Sequence, residues 1–236
     1  QLSTAAYTWT FTPSLIASAA PESYTFEYGD NVQAYEVEYV MASGIEISGA
    51  PDEALKLSVD FFGRQMTAAT FTSSLDFPTV ESALFNKAKL YIDSAWASLG
   101  DTQKSATLID FTLRIDTGLV ALKAADGQLY FSIVGEKPRS VELDMTLYWN
   151  DTVSTTERGY WVAQTKRALR LEIEGTTLEH SRKNKLTIDL WGVYTDWDTI
   201  ADKDGASTVA VKFATVGDVT NDNEYSIAVV NGESSL

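Results

Sequence analysis

Apolar and polar residues alternate with a period of two along several stretches of the chain. The clearest case is Ser105–Asp116, where apolar Ile109, Phe111, Leu113 and Ile115 alternate with Asp110, Thr112, Arg114 and Asp116. Successive side chains of a β-strand point to opposite faces of its sheet. This segment is therefore predicted to be a strand with one buried face and one wet, charged face.

The same alternation recurs in three other segments, Leu55–Phe61, Val141–Tyr148 and Leu169–Glu174. The apolar positions predicted to point inward are Leu55, Leu57, Val59, Phe61, Val141, Leu143, Met145, Leu147, Leu169, Leu171 and Ile173. Most of the polar positions between them are acidic. The chain is predicted to be a β-sandwich or barrel with a negatively charged sheet face.

Further strands are predicted at Val32–Val40, Gly44–Ser48, Gln128–Val134 and Lys185–Tyr194, with a loop over Leu119–Lys123. The last two strands, Thr208–Thr215 and Tyr225–Val230, are predicted to pair with each other across the turn at Asn221–Asn223.

One helix is predicted, over about residues 155–167. Ser154-Thr-Thr-Glu157 has the spacing of a capping box, in which the first and last side chains bind the free backbone N–H groups of a helix start. Apolar residues continue at helical spacing after it. Lys166 and Arg167 would lie in the last turn, where cations suit the helix dipole.

The chain divides into an N-terminal strand or arm over residues 1–23 and a single β-domain over residues 24–236. The arm contains a short predicted strand, Tyr7–Phe11, and could leave the domain. Within the domain, residues 63–78 form a long stretch rich in Ser and Thr that is predicted to be a loop. Loops of this length in compact domains are usually functional. The apolar residues in it indicate contact with a partner.

Charge excludes one class of function. The 236 residues include 18 basic and 33 acidic side chains, a net charge of −15. Proteins that grip nucleic-acid phosphates need a basic surface, so this chain is not expected to bind DNA tightly. A protein that lets DNA pass without holding it would have this sign of charge. With no cysteine there is no disulfide or thiolate metal site, and no apolar run approaches the ~20 residues of a membrane-spanning helix.

No segment of the sequence has a strong catalytic or metal-binding motif. The one histidine, His180, lies in a polar turn with no nucleophile motif elsewhere. The acidic turn at Asp202–Gly205 lacks the ligand spacing of a calcium loop. Glu142 and Asp144 could resemble a glycosidase pair, but single carboxylates are spread over many strands, which fits a solvated or channel-facing surface better. We therefore predict no catalytic residue, no metal site and no cofactor.

Several motifs, in order, resemble the tail tube (major tail) proteins of long-tailed phages. They are Ile45-Glu-Ile-Ser-Gly-Ala50, Phe61-Phe-Gly-Arg64, Pro78-Thr-Val80, Ala88-Lys-Leu-Tyr-Ile-Asp93, Gly100-Asp-Thr-Gln-Lys104, Phe111-Thr-Leu-Arg-Ile-Asp-Thr-Gly118, Leu169-Arg-Leu171, Lys185-Leu-Thr-Ile-Asp189, Asp204-Gly205 and Ile227-Ala-Val-Val-Asn231. The resemblance covers roughly residues 35–231. Each motif alone is common, so the order and spacing carry the likeness.

The resemblance implies two packed antiparallel sheets with one flanking helix, assembled as hexameric rings that stack into a tube. Such a protein belongs to the virion, is assembled in the host cytoplasm, and contacts tape-measure, tail-tip and terminator proteins while genomic DNA passes through without specific binding. No membrane contact is expected. The acidic residues expected to face the channel are Glu36, Glu38, Glu46, Asp60, Asp110 and Asp116. The residues expected to form contacts between rings are Arg64, Met66, Phe71 and Phe77.

Two other functions fit the sequence. A carbohydrate-binding β-sandwich would use some of the six tryptophans and eleven tyrosines as a stacking platform. The inner tube of a contractile injection machine, which moves proteins instead of genomes, would share the same fold. An enzyme fits least.

Overall fold

The computed structural model describes residues 5–16, 21–74, 80–220, 222 and 224–234, and this part of the chain is mainly β. In chain order its strands are β1 (Tyr7–Phe11), β2 (Tyr24–Gly29), β3 (Ala34–Gly49), β4 (Lys56–Phe62), β5 (Gln65–Ala69), β6 (Ala88–Asp93), β7 (Leu108–Asp116), β8 (Leu119–Leu122), β9 (Ile133–Glu136), β10 (Ser140–Tyr148), β11 (Arg167–Glu179), β12 (Arg182–Trp197), β13 (Ala201–Lys203), β14 (Ala206–Thr215) and β15 (Tyr225–Asn231). The helical segment comprises a π-helical turn, Thr152–Glu157, and α1 (Arg158–Val162).

The strands form two packed antiparallel layers that share β12. Layer A has the order β4-β3-β7-β10-β14, and layer B has the order β6-β11-β12-β15-β1. Residues Lys185–Leu190 of β12 pair with β15, whereas Gly192–Trp197 pair with β14, so this long strand carries the sheet from one layer to the other. Strands β8 and β9 form a separate pair. The predicted fold class, two packed antiparallel sheets with one short helix, is confirmed.

The core lies between the layers and is built from the predicted alternating positions. In the central strand β7, Phe111, Leu113 and Ile115 are buried as expected. Ile109 is not part of the core, because it is the extra residue of a β-bulge in β7: Asp110 pairs with Thr146, and Leu108 pairs with Leu147. Leu108 packs against the core in its place. The alternating apolar residues of β10 and β11 are all buried.

The predicted inward face of β4 is largely uncovered. Leu57 is 67% exposed and Phe61 is 45% exposed, although both lie on the apolar side of the strand, which was predicted to face the core. The reason is position: β4 is the outermost strand of layer A, pairs only with β3 among the described strands, and contributes nothing to the buried cluster. The alternation correctly separated the apolar side of β4 from its polar side. It could not show that layer B does not extend far enough to cover the apolar side.

The helix is shorter than the predicted 155–167 and begins differently. Its first N–H groups are capped by Asn150, whose Oδ1 accepts a hydrogen bond from the backbone N–H of Val153 at 3.0 Å, and not by a Ser154–Glu157 capping box. Gln164 has a positive φ of 50° and ends the helix. Arg167 opens strand β11, because that strand is held on both sides, by β12 and β6.

Four other sequence predictions are wrong in detail. Residues Gln65–Ala69 of the predicted 63–78 loop form β5, which pairs with β3. Leu119–Leu122 form a strand where a loop was expected, and the strand predicted at Gln128–Val134 begins only at Ile133. Strands β14 and β15 do not pair with each other, because each pairs with a different half of β12.

The N-terminal strand β1 is present as predicted. It pairs antiparallel with β15, with Trp9 opposite Val229, and so extends layer B instead of leaving the domain. Among the described residues, the helical stretches are too short to span a bilayer.

Candidate functional site

The outward surface of layer A, here called the acidic face, carries most of the predicted channel residues. Its strands align polar residues in rows, such as Ser58, Glu46, Arg114 and Glu142 across β4, β3, β7 and β10. The charged members on these strands and β14 are Glu46, Asp60, Asp110, Asp116, Glu142 and Asp144, with Lys56, Arg114 and Lys212 as the cations. Carboxylates outnumber cations, so this face is net negative.

Arg114 is the central cation of the acidic face. Its Nε lies 3.0 Å from Oε2 of Glu46 on β3, and its Nη1 binds Oδ2 of Asp144 on β10. The hydrogen bond to Asp144 is the main reason that the pKa of Arg114 is raised. The other oxygen of Asp144, Oδ1, is buried without a hydrogen-bond partner among the described residues. One cation thus fastens three neighbouring strands together.

Two predicted channel residues are paired with lysines from outside these strands. Lys137 Nζ lies 2.7 Å from Oδ2 of Asp116, and Lys203 Nζ lies 2.9 Å from Oδ2 of Asp110. The hydrogen bond from Lys137, followed by one from the backbone N–H of Gly118, lowers the pKa of Asp116. Each lysine therefore partly balances the negative charge of the carboxylate that it contacts.

Asp60 and Glu142 are the carboxylates of this face that form no ion pair with a described residue. They line a depression of about 550 Å³ together with Glu46, Asp116 and Arg114. The structure therefore brings together three of the predicted channel residues, while Asp110 lies farther along the same face. Glu142 and Asp144 were not assigned to the channel, although the alternation of β10 with β7 could have identified them.

The outward face of layer B has a different charge balance. There Lys89 contacts Glu172 and Glu174 at 3.5 and 3.2 Å, Lys185 contacts Glu172 at 3.2 Å, and Arg170 contacts Asp189 at 2.6 Å. Cations and carboxylates alternate across β6, β11 and β12. Of the two outward sheet faces, only that of layer A thus carries more carboxylates than cations.

Glu36 and Glu38 do not lie on the acidic face. They belong to a three-stranded sheet formed by β2, residues 34–38 of β3, and β5, here called the peripheral sheet. None of its residues belongs to the buried cluster. Glu36 and Glu38 point to its polar side, where Glu38 binds Arg64. A bend in β3 at Tyr39, which has a positive φ of 57°, separates these two predicted channel residues from Glu46.

The opposite side of the peripheral sheet is aromatic. Register places Phe26, Tyr28, Tyr35, Val37 and Met66 on this side. The Phe26 ring lies 4.7 Å from the ring of Phe61 on β4, so the aromatic side continues into the uncovered strip of Leu57 and Phe61.

The residues predicted to contact other rings are placed as follows. Met66 is 54% exposed on the aromatic side, and Phe71 is 47% exposed just after β5. Arg64 lies at the junction of the peripheral sheet and layer A, and Phe77 lies outside the described residues. Three of these four residues therefore lie in or beside the peripheral sheet.

Within the described ranges, no cluster of three or more acidic or histidine side chains is arranged to hold a metal ion. His180 is an exposed turn residue between β11 and β12 with a positive φ of 49°. No protein-family model matches the chain, and neither does any curated protein.

Proposed function

We propose that this chain is the repeating subunit of a phage tail tube, in which six copies form a ring and stacked rings conduct DNA. The acidic face carries this proposal. It is a polar sheet surface backed by an apolar core, and six carboxylates on it face five cations when Lys137 and Lys203 are counted. Asp60 and Glu142, which form no ion pair with a described residue, would repel phosphates that slide past them. Six copies would carry six times the −15 of one chain.

The second support is an apolar surface suited to another copy. Phe26, Tyr28, Leu57, Phe61 and Met66 are between 37% and 67% exposed, which leaves roughly 500 Å² of apolar surface, given the ~150–250 Å² of an aromatic side chain. Patches of this size mark interaction sites, and a standard interface buries ~800 Å² on each partner. The unpaired edge of β4 beside the strip invites pairing with another chain.

Electron microscopy of the purified chain tests the assembly. We expect rings or tubes with a central hole. Replacing Leu57 and Phe61 together by Ser should leave the circular dichroism spectrum unchanged and abolish the rings, because both side chains lie outside the core. A monomeric particle at high concentration, with clear sugar binding, would contradict the proposal.

Charge reversal on the acidic face tests the channel. Asp60→Lys with Glu142→Lys removes no ion pair, so we expect normal folding and rings but slower DNA delivery in a phage that carries the variant. Asp101→Lys is the control, since Asp101 is exposed in the turn after β6, away from this face. Equal delivery rates for the channel variant and the control would remove the acidic face from the proposal.

One observation favours a carbohydrate-binding module as a second candidate. The rings of Tyr28 and Tyr35 are stacked at 5.7 Å on the aromatic side of the peripheral sheet, and Tyr28 is 49% exposed, so an apolar ring with a hydroxyl group is open to a sugar. Titration calorimetry against a polysaccharide panel would detect such binding, and Tyr28→Ala should then abolish it.

A further inference from the structure

The peripheral sheet is joined to the sandwich by two chain crossings that leave little freedom of conformation. Strand β3 passes from one to the other through Tyr39, whose φ of 57° is left-handed. The chain also crosses at Gly63, between β4 and β5. A Cβ at Gly63 would lie 2.4 Å from Cγ1 of Val37 and 3.2 Å from Cγ2 of Val40, so any other residue there would force the Val37 side chain to move. These crossings are called the neck.

Arg64 occupies the centre of the neck. Its backbone N–H donates to the carbonyl of Glu38 at 2.9 Å, and its Nε and Nη2 both donate to Oε1 of Glu38 at 3.0 and 2.8 Å. Its guanidinium also lies near two aromatic rings, with Cζ 5.0 Å from the centre of Tyr39 and 5.3 Å from that of Tyr130. A cation within about 6 Å of a ring centre is attracted to the ring, and here two rings contribute.

Tyr130 comes from a distant part of the chain, the loop between β8 and β9. The next residue in this loop, Phe131, is buried, and its ring lies 5.5 Å from Phe62 and 6.4 Å from Tyr39. The loop therefore contacts the neck in two ways: through the buried ring of Phe131 and through the contact of Tyr130 with the Arg64 guanidinium. It is a third support for the peripheral sheet, in addition to the two chain crossings.

We propose that Arg64 is a positioning residue that couples the β8–β9 loop to the peripheral sheet and fixes the direction in which the aromatic side of that sheet faces. Without Arg64, the contacts of Phe131 with Phe62 and Tyr39 remain, but the contact between Tyr130 and the start of β5 is lost. Glu38 also loses its ion pair. The peripheral sheet then moves about Tyr39 and Gly63. The coupling itself does not depend on the proposed function; its consequence for ring formation does.

Hydrogen–deuterium exchange of the full chain tests the coupling. In Arg64→Ala we expect exchange to rise about tenfold, both in β5 and in residues 123–132, because a charge-assisted hydrogen bond and two ring contacts are lost. Tyr130→Ala should raise exchange in the same two segments, and the double variant should add little. Arg64→Lys should be intermediate, since Lys keeps the charge but not the planar stacking.

Arg114→Ala is the matched control, since Arg114 also bridges strands but lies on the acidic face. It should leave exchange in β5 and in residues 123–132 unchanged. The proposal is overturned if Arg64→Ala leaves either segment unchanged, or if Tyr130→Ala affects its own loop only. Where the wild-type chain forms rings, Arg64→Ala should slow their formation; where it does not, the exchange result still decides the coupling.

Discussion

At the scale of single residues, the most unusual group is a buried charge. Glu157 is 1% exposed, and its Oε1 lies 2.9 Å from Lys104 Nζ and 3.7 Å from Arg167 Nη2. Its Oε2 accepts a hydrogen bond from Tyr194 at 3.2 Å. Burial, followed by the charge of Glu157, raises the pKa of Tyr194 well above its ordinary value. This cluster fastens the helical segment to both layers.

Replacing Glu157 by Gln should destabilise the protein strongly. The variant leaves two buried cations without their counter-charge, and breaking a buried ion pair in this way costs roughly 3–5 kcal/mol. Chemical denaturation followed by tryptophan fluorescence would measure the loss. Glu53→Gln, which removes an ion pair with Lys56 on exposed side chains, should cost under about 1 kcal/mol. Equal losses in the two variants would contradict the expected role of burial.

Glu174 supplies a pH-dependent contribution. The hydrogen bond from Lys183, followed by that from Lys89, lowers its pKa below the ordinary 4.5. A lowered pKa in the folded state means that the stabilisation is present above pH 4.5 and is lost as pH falls through the folded pKa.

Glu174→Gln should therefore lower the free energy of unfolding at neutral pH, by no more than about 1 kcal/mol because the group is partly exposed. Its melting temperature should lie slightly below that of the wild type. The two melting temperatures should converge in acid. Calorimetry across this pH range would measure the gap. A gap that persists at the lowest pH would show that Glu174 acts through packing instead of charge.

At the scale of elements, the turn between β7 and β8 depends on one glycine. Gly118 has a φ of +79°, and a Cβ there would lie 2.2 Å from the carbonyl oxygen of Lys137. The same two residues are joined by a hydrogen bond from the N–H of Lys137 to the carbonyl of Gly118 at 2.8 Å. The close approach of the residue before β8 to the residue after β9 therefore excludes any side chain at Gly118.

Gly118→Ala should lower stability more than Gly127→Ala. Both glycines have a left-handed φ, but nothing lies within 4 Å of a Cβ at Gly127. The shared conformational cost is about 1–2 kcal/mol, and Gly118→Ala should lose more because the Lys137 carbonyl must move. Thermal unfolding of the two variants measures the difference. Equal losses would mean that the turn relaxes freely.

At the scale of the whole molecule, net charge opposes association between copies. Each chain carries −15, so neighbouring copies repel one another unless salt screens them. The screening length falls from about 10 Å at 0.1 M salt to about 3 Å at 1 M. An assembly held by apolar strips and strand edges should gain from this screening.

Self-association should therefore increase with salt. Sedimentation velocity at low and at high sodium chloride concentration would measure the fraction of associated chains. The control is Leu57→Ser, whose association should stay low at both salt concentrations. Association that decreases with salt would indicate that ion pairs between copies, and not apolar contacts, hold the assembly together.

How much the sequence could predict varied with the kind of signal. The period of two identified β7, β10 and β11 and their buried sides, because alternation is a property of each strand alone. It also indicated four carboxylates of the acidic face, Glu46, Asp60, Asp110 and Asp116. It could not indicate Lys137 and Lys203, because Lys137 lies in the connection before β10 and Lys203 ends the short strand β13, and no local pattern encodes where these segments lie. Nor could it separate Glu36 and Glu38 from Glu46, because the bend at Tyr39 has no sequence signature.

The sequence by itself determined the mainly β class, the alternation that builds the core, and the excess of negative charge, since each follows from local residue order or composition. Only the tertiary structure decided that β12 joins the two layers, that β14 and β15 stay apart, and that the apolar side of β4 is left uncovered. These outcomes depend on which distant strands meet and where each layer ends. That is a property of the whole packing and of no single segment.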